Sequence, residues 1–372
     1  MGLRRTENLV HLLYKPDWEE AKERYRAWWA HECFGRCAMA VTAPKADAPA
    51  EEPPQPRGIE DRWLDYGYLD AINEYRMRRT FYGGEAFPVW HPGYPGWTCI
   101  ACYLGAPITL AEDTGWIDPI LADGALTDYD YRELVIPAQN RWWVEAKKML
   151  RHSVAQSRGK CIPGVLAFGG CGDTLAMLRG NDRLLTDLID CPDYVREFDQ
   201  YLMWQWMEVY DTFYGIIHEA AEGSTCWFNL WSPGKFYASH NDFAYMISPR
   251  MFRDVFLPSI EMQTNFLDHT IHHVDGVGNF AHVDALCELP RLQALQILPG
   301  AGKPSPLHYM DVLRKVQRAG KNLWIHIPPD EVQSALENLS ARGLFIATAC
   351  ASEAEARALL KNAEKWSRDR PS

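Results

Sequence analysis

The run Ile271-His272-His273-Val274-Asp275-Gly276 carries the strongest chemical signal in the chain. Residues two apart on a strand project to the same side, so His273 and Asp275 can aim at one point while His272 faces away. An imidazole and a carboxylate placed this way can bind Zn2+, or the carboxylate can orient and charge the ring for proton transfer. The same residues also have a structural reading, with Asp275 capping the Gly276 turn and His273 packed at a strand end. Cys350 could add a thiolate and complete a His/Asp/Cys metal site with the fourth zinc position open, although a cysteine is as often a small buried hydrophobe. His326, within Trp324-Ile325-His326-Ile327-Pro328-Pro329, is a second ring that could face the same opening as a proton donor.

These side chains need a scaffold of strands, and the sequence supplies a regular one. Apolar runs at 36 to 43, 86 to 90, 161 to 168, 225 to 230, 269 to 274, 293 to 298, 322 to 327 and 343 to 348 read as strands. Helical patterns at 137 to 158, 192 to 221, 249 to 267, 282 to 288, 306 to 319, 329 to 341 and 352 to 366 alternate with most of them. Strand and helix alternation implies parallel strands with helical crossovers, and eight such strands predict an α/β fold of the (β/α)8 TIM-barrel type. An open doubly wound sheet is the alternative, but no Gly-x-Gly-x-x-Gly turn follows any strand. The predicted organisation is an N-terminal helical extension over 1–35 and a barrel over 36–372, with a loop-rich insertion at 58–130 lying over the barrel mouth.

Barrel active sites sit at the carboxyl ends of the strands, so the polar residues at those points form the candidate list. Trp90 and His91 follow the second strand, Gly169, Gly170 and Asp173 the third, and Asn229 and Trp231 the fourth. Gln296 belongs to the sixth, His326 ends the seventh, and Thr348 and Cys350 close the eighth. Trp90, His91, Asn229, Trp231 and Gln296 are the predicted substrate contacts, with the tryptophan-rich segments able to stack a planar ligand. Cys99-Ile100-Ala101-Cys102 is a lone C-x-x-C with no second pair and reads as ordinary thiols.

Of the 372 residues 47% are hydrophobic and 23% charged, a composition typical of a globular protein, and no apolar run approaches the roughly eighteen residues a membrane span needs. A formal charge of -11 argues against nucleic acid or an anionic membrane as partner and leaves a small molecule as the expected substrate. Arg4 and Arg5 are followed by Glu7, Asn8 and His11 rather than an apolar stretch, so no secretory leader is predicted. The ten cysteines then read as reduced thiols of a cytoplasmic protein. Oligomeric state is left open.

The run from Asp242 to Pro258, Asp-Phe-Ala-Tyr-Met-Ile-Ser-Pro-Arg-Met-Phe-Arg-Asp-Val-Phe-Leu-Pro, resembles the Ile-Ser-Pro-x-x-Phe…Pro helix of the uroporphyrinogen decarboxylase superfamily, which includes corrinoid-linked methyltransferases. The His-x-Asp-Gly strand end, the strand ending in Pro299-Gly300 and the closing strand before a Glu- and Ala-rich helix follow in the family's order. The resemblance covers about 225 to 366 well and 36 to 44 and 80 to 107 loosely. It implies a barrel, and in the methyltransferase branch a zinc held by a His-x-Cys pair and a later Cys. His273 falls on that histidine, Asp275 on the first cysteine, and Cys350 near the second. The arginine motif of the tetrapyrrole decarboxylases is not recognisable. The resemblance therefore implies first a zinc-assisted methyltransferase, with Zn2+ on His273, Asp275 and Cys350 and a corrinoid protein or small methyl donor as partner. A metal-free decarboxylase or lyase of a small acid, with His273 or His326 as proton donor, is the second expectation, and a ligand-binding barrel without catalysis is the third.

Overall fold

The computed structural model describes residues 12–48 and 51–370. The segment read above as lacking a secretory leader lies outside the described residues. Nine of the thirteen strands among the described residues organise the fold: β1 Ala38–Pro44, β2 Thr80–Gly84, β3 Val89–Trp90, β4 Ile162–Pro163, β5 Phe236–His240, β6 His269–Asp275, β7 Ala294–Leu298, β8 Asn322–His326 and β9 Leu344–Ala349. Seven of them form one sheet in the order β2-β1-β9-β8-β7-β6-β5. All neighbours in it are parallel except β2, which runs antiparallel along the edge of β1. β3 and β4 form a separate parallel pair. The fold is thus mixed α/β with a mainly parallel sheet, as the alternation of strands and helices requires.

Alternation along each strand divides the core in two. Met39, Val41, Val274, Leu295, Ile297, Leu323, Ile325 and Ile346 point to the crossover helices and join the larger apolar cluster. Ala38, Phe236, Ala238, Ile271, Ala294, Trp324 and Phe345 point to the opposite face and form a second cluster with the Trp18–Trp29 helix. That helix buries Trp18, Ala21, Tyr25, Trp28 and Trp29. Tyr25 and Trp28 meet Phe345 and Trp29 meets Phe236, so the helix covers the amino ends of the strands. Its indole N–H groups are used as well, Trp28 donating to the Gly343 carbonyl and Trp29 to that of Trp231, each at 2.9 Å.

Below β1 a fully buried Glu85 ties strand to strand. Its carboxylate accepts from both terminal nitrogens of Arg36, at 2.7 and 3.0 Å, and from the Met39 amide. The Tyr25 hydroxyl donates to the Glu85 carbonyl at 2.7 Å.

Three sequence readings are corrected. The fourth strand is Phe236–His240, not 225 to 230; the latter is a tight hairpin in which Ser224–Thr225 pairs antiparallel with Trp231–Ser232. Asn229 takes a left-handed φ of 57° in its turn, a conformation that Asn tolerates better than most residues. The second and third runs contribute only two regular strand residues each, in β3 and β4. Within the supposed loop insertion, Ile59–Leu64 and Tyr66–Arg79 are helical and β2 is a strand.

Candidate functional site

β5 and β6 end in the same three-residue pattern, His240-Asn241-Asp242 and His273-Val274-Asp275, and the register places His240 beside His273. The row continues to Gln296 on β7 and Trp324 on β8. Two histidines on one face at adjacent carboxyl ends are the centre of the candidate site.

The His240 side is tied down. Gly169 and Gly172 adopt φ values of 92° and 71°, and a Cβ at Gly172 would lie 2.5 Å from the Asn241 side chain, so the loop closes only with glycine there. The loop delivers Asp173, which is nearly buried. One of its oxygens lies 2.6 Å from His240 Nδ1 and accepts the Asp242 amide at 3.0 Å, while the other accepts the Phe243 amide at 2.8 Å. Burial pulls the His240 ring toward neutrality, but the hydrogen bond and charge of Asp173, with Asp242 and the Gly169 backbone, outweigh it and raise its pKa. Asp242 stands at the rim. Desolvation, then the Asp173 charge, hold its carboxyl above the ordinary range against the pull of His240 and His273.

The His273 side is left open. Its Nδ1 is hydrogen-bonded to the Oε1 of buried Gln296, which makes Nδ1 the N–H donor and turns Nε2 toward Asp275, 3.9 Å from Oδ2. Trp227, at the tip of the Ser224–Ser232 hairpin, stands edge-on to both rings, 5.0 Å from His240 and 5.8 Å from His273. Phe228 lies nearly parallel to His273 and rests on Trp324. The hairpin thus gives the two imidazoles an apolar support. Replacing Gln296 by leucine keeps the volume but frees the tautomer, and should cost about ten- to a hundredfold in kcat/KM for any reaction routed through His273. An unchanged kcat/KM would show that the ring needs no tether.

Beside Asp275 a cavity of about 650 Å³ opens between the ends of β6, β7 and β8. Its lining includes Asp275, Lys303, Ser305 and His326, with Pro299 and Pro328 among its walls. His326 and Asp275 therefore face one space, as their strand positions predict. Burial lowers the His326 pKa, which favours the neutral ring.

Other predicted residues lie elsewhere. Trp90 is buried in the helix-side cluster and donates Nε1–H to Asp70 at 2.9 Å. His91 accepts the Gly93 amide through Nδ1 at 2.9 Å, and burial drives its pKa down to about 4, so it serves its own loop as a neutral ring. Asn229 is an exposed turn residue. Trp231 is fully buried against Trp18 and Tyr25 near the amino ends of the strands, far from the role assigned to it. Cys350 continues the β9 ladder by donating its amide to Thr42 at 2.8 Å, so alternation turns its side chain to the helix side with Ile346. Burial raises the thiol's pKa there. Thr348 is buried as well, its hydroxyl without a partner.

The zinc site expected from His273, Asp275 and Cys350 is therefore not assembled, because Cys350 belongs to the other face of the sheet. Among the described residues one set of three possible metal donors lies within 4.8 Å, namely Asp173, His240 and Asp242. Asp173 and His240 already satisfy one another there, which describes an ion-paired acid/base cluster better than an open cation cage. His240 and Asp242 are the site residues that sequence reasoning missed, whereas Trp227 and Phe228 belong to the 227 to 231 tryptophan-rich segment read as able to stack a ligand. The repeated His-x-Asp spacing was the available signal.

No protein-family model matches the chain, and no curated protein matches its sequence. Among the described residues, no helix is long and apolar enough to cross a membrane.

Proposed function

We propose that the chain is a (β/α)8-barrel enzyme of the uroporphyrinogen decarboxylase type that transfers a proton to a small acid as it loses CO2. The observation that carries this reading is His273, whose Nδ1 is fixed by buried Gln296 and whose Nε2 faces Asp275 at 3.9 Å, Asp275 itself lining an open cavity. The barrel reading is supported by the mainly parallel sheet, with β3 and β4 as its second and third strands, and the family reading by the 242 to 258 run.

In this mechanism the substrate extends from the cavity past Asp275 to His273, with a carboxylate toward Lys303 and His326. The bond to the departing carboxylate breaks, CO2 leaves, and the electron pair stays on a carbon whose own substituents delocalise it. Protonated His273 gives its Nε2 proton to that carbon, and the Asp275 carboxylate stabilises the imidazolium before transfer. The His240–Asp173 pair beside it is held in place by the Asp242 and Phe243 amides. All ten cysteines are unpaired, which supports a reducing compartment such as the cytoplasm as the place of action.

The test is CO2 release from a panel of 3-oxo, aromatic and pyrrole carboxylic acids. At least one acid is expected to lose CO2 with the protein and not without it. Binding of acids with no release from any of them would overturn the lyase reading in favour of a ligand-binding barrel.

A further inference from the structure

We propose that Asp199 is the positioning residue of this site: from the Pro192–Ala221 helix it grips the Gly172 amide and so holds the Asp173 carboxylate against His240. The proposal rests on the reading of the strand ends as a proton-transfer site and adds a residue that touches no reacting atom.

Asp199 is completely buried, on a helix whose neighbouring core positions are Val195, Phe198 and Leu202. An acid in such a place is costly unless its hydrogen bonds have a use. Asp199 Oδ1 accepts the Gly172 N–H at 2.6 Å, and buried Ser259 flanks the carboxyl from the Leu257–Phe266 helix. Burial raises the carboxyl to about 7, and the nearby Asp173 charge adds to the rise. One residue beyond the gripped amide is Asp173, whose oxygens meet His240 and two amides of the segment after β5. The opposite side of Gly172 is filled by Asn241, the residue that follows His240. Gly172 is thus clamped between the helix and the strand end that carries the histidine. The same helix holds the start of the loop, where Trp206 Nε1 donates to the Gly169 carbonyl at 3.0 Å. With the loop anchored at both ends, the Asp173 backbone is held where its carboxylate reaches His240.

A purely structural tether would contribute stability but leave the proton affinity of His240 unchanged. The test is therefore the His240 titration, read by NMR of the full chain carrying 15N-labelled histidine. Asp199→Ser keeps a polar group but cannot reach the amide, and is expected to lower the His240 proton affinity about tenfold, one pKa unit. Asp199→Asn still offers an oxygen to Gly172 and should leave it within about twofold of the wild type. Asp173→Asn should lower it further, and adding Asp199→Ser to that variant should change nothing more, because the effect passes through Asp173. If Asp199→Ser does not fold, Asp199→Cys, compatible with the core and a weak acceptor, takes its place. A wild-type titration in the Ser or Cys variant overturns the proposal, and so does an Asn variant as low as Ser, which would show action through charge rather than position. The titration needs no substrate, so its outcome is independent of whether CO2 release is found.

Discussion

The His273→Ala variant is expected to lose about 10²- to 10⁴-fold in kcat/KM for CO2 release, the range that removal of a positioned proton donor typically costs. The variant should fold, because the ring is only partly buried and its one strong hydrogen bond, to Gln296, can be replaced by water. The loss should be in kcat more than KM, since the proton moves only in the transition state while the cavity wall at Lys303 and His326 is intact. Asp275→Asn is the informative companion, because it keeps the shape and removes the carboxylate that Nε2 faces. A pH-rate profile for His273→Ala that superimposes on the wild type would remove His273 from the mechanism. His326 would then be the donor to test in its place.

The largest stability effect is expected at Glu85, not at the site. Glu85→Ala should destabilise the protein by about 3 to 5 kcal/mol, measured as the shift in the urea unfolding midpoint. The magnitude follows from what is left behind. Arg36, itself buried, would lose both of its carboxylate contacts, and the Met39 amide on β1 would lose its acceptor. Replacing the pair together, with Arg36→Met and Glu85→Leu, should cost much less, because no unpaired charge then remains in the core. A single-variant loss below about 1 kcal/mol would show that water reaches Arg36, since that is the usual worth of an exposed pair.

Much of the scaffold can be read from the sequence because parallel strands buried on both faces are long apolar runs between helices. From 269 onward the predicted strands and helices lie within a few residues of those found. The fourth strand was misplaced for a physical reason. Thr225 to Leu230 is the more apolar and aromatic run, while Phe236–His240 includes Ser239 and His240 and looks like a loop. The apolar run is a hairpin whose side chains fill the space between strands, a demand set by tertiary packing that local patterning does not carry. That one displacement hid His240 and Asp242 and promoted Asn229 and Trp231. At Cys350 the chain position was correct, but whether the ladder continued past β9 decided which face the thiol took, and one residue of register reverses it.

The Trp18–Trp29 helix has a consequence for turnover. Its four buried aromatics stopper the amino ends of the strands, so a ligand that reaches His273 from the carboxyl ends has to leave by the way it came. Product departure and substrate entry then share the carboxyl-end side, and the Lys303 and Pro328 wall of the cavity is where traffic in both directions would pass.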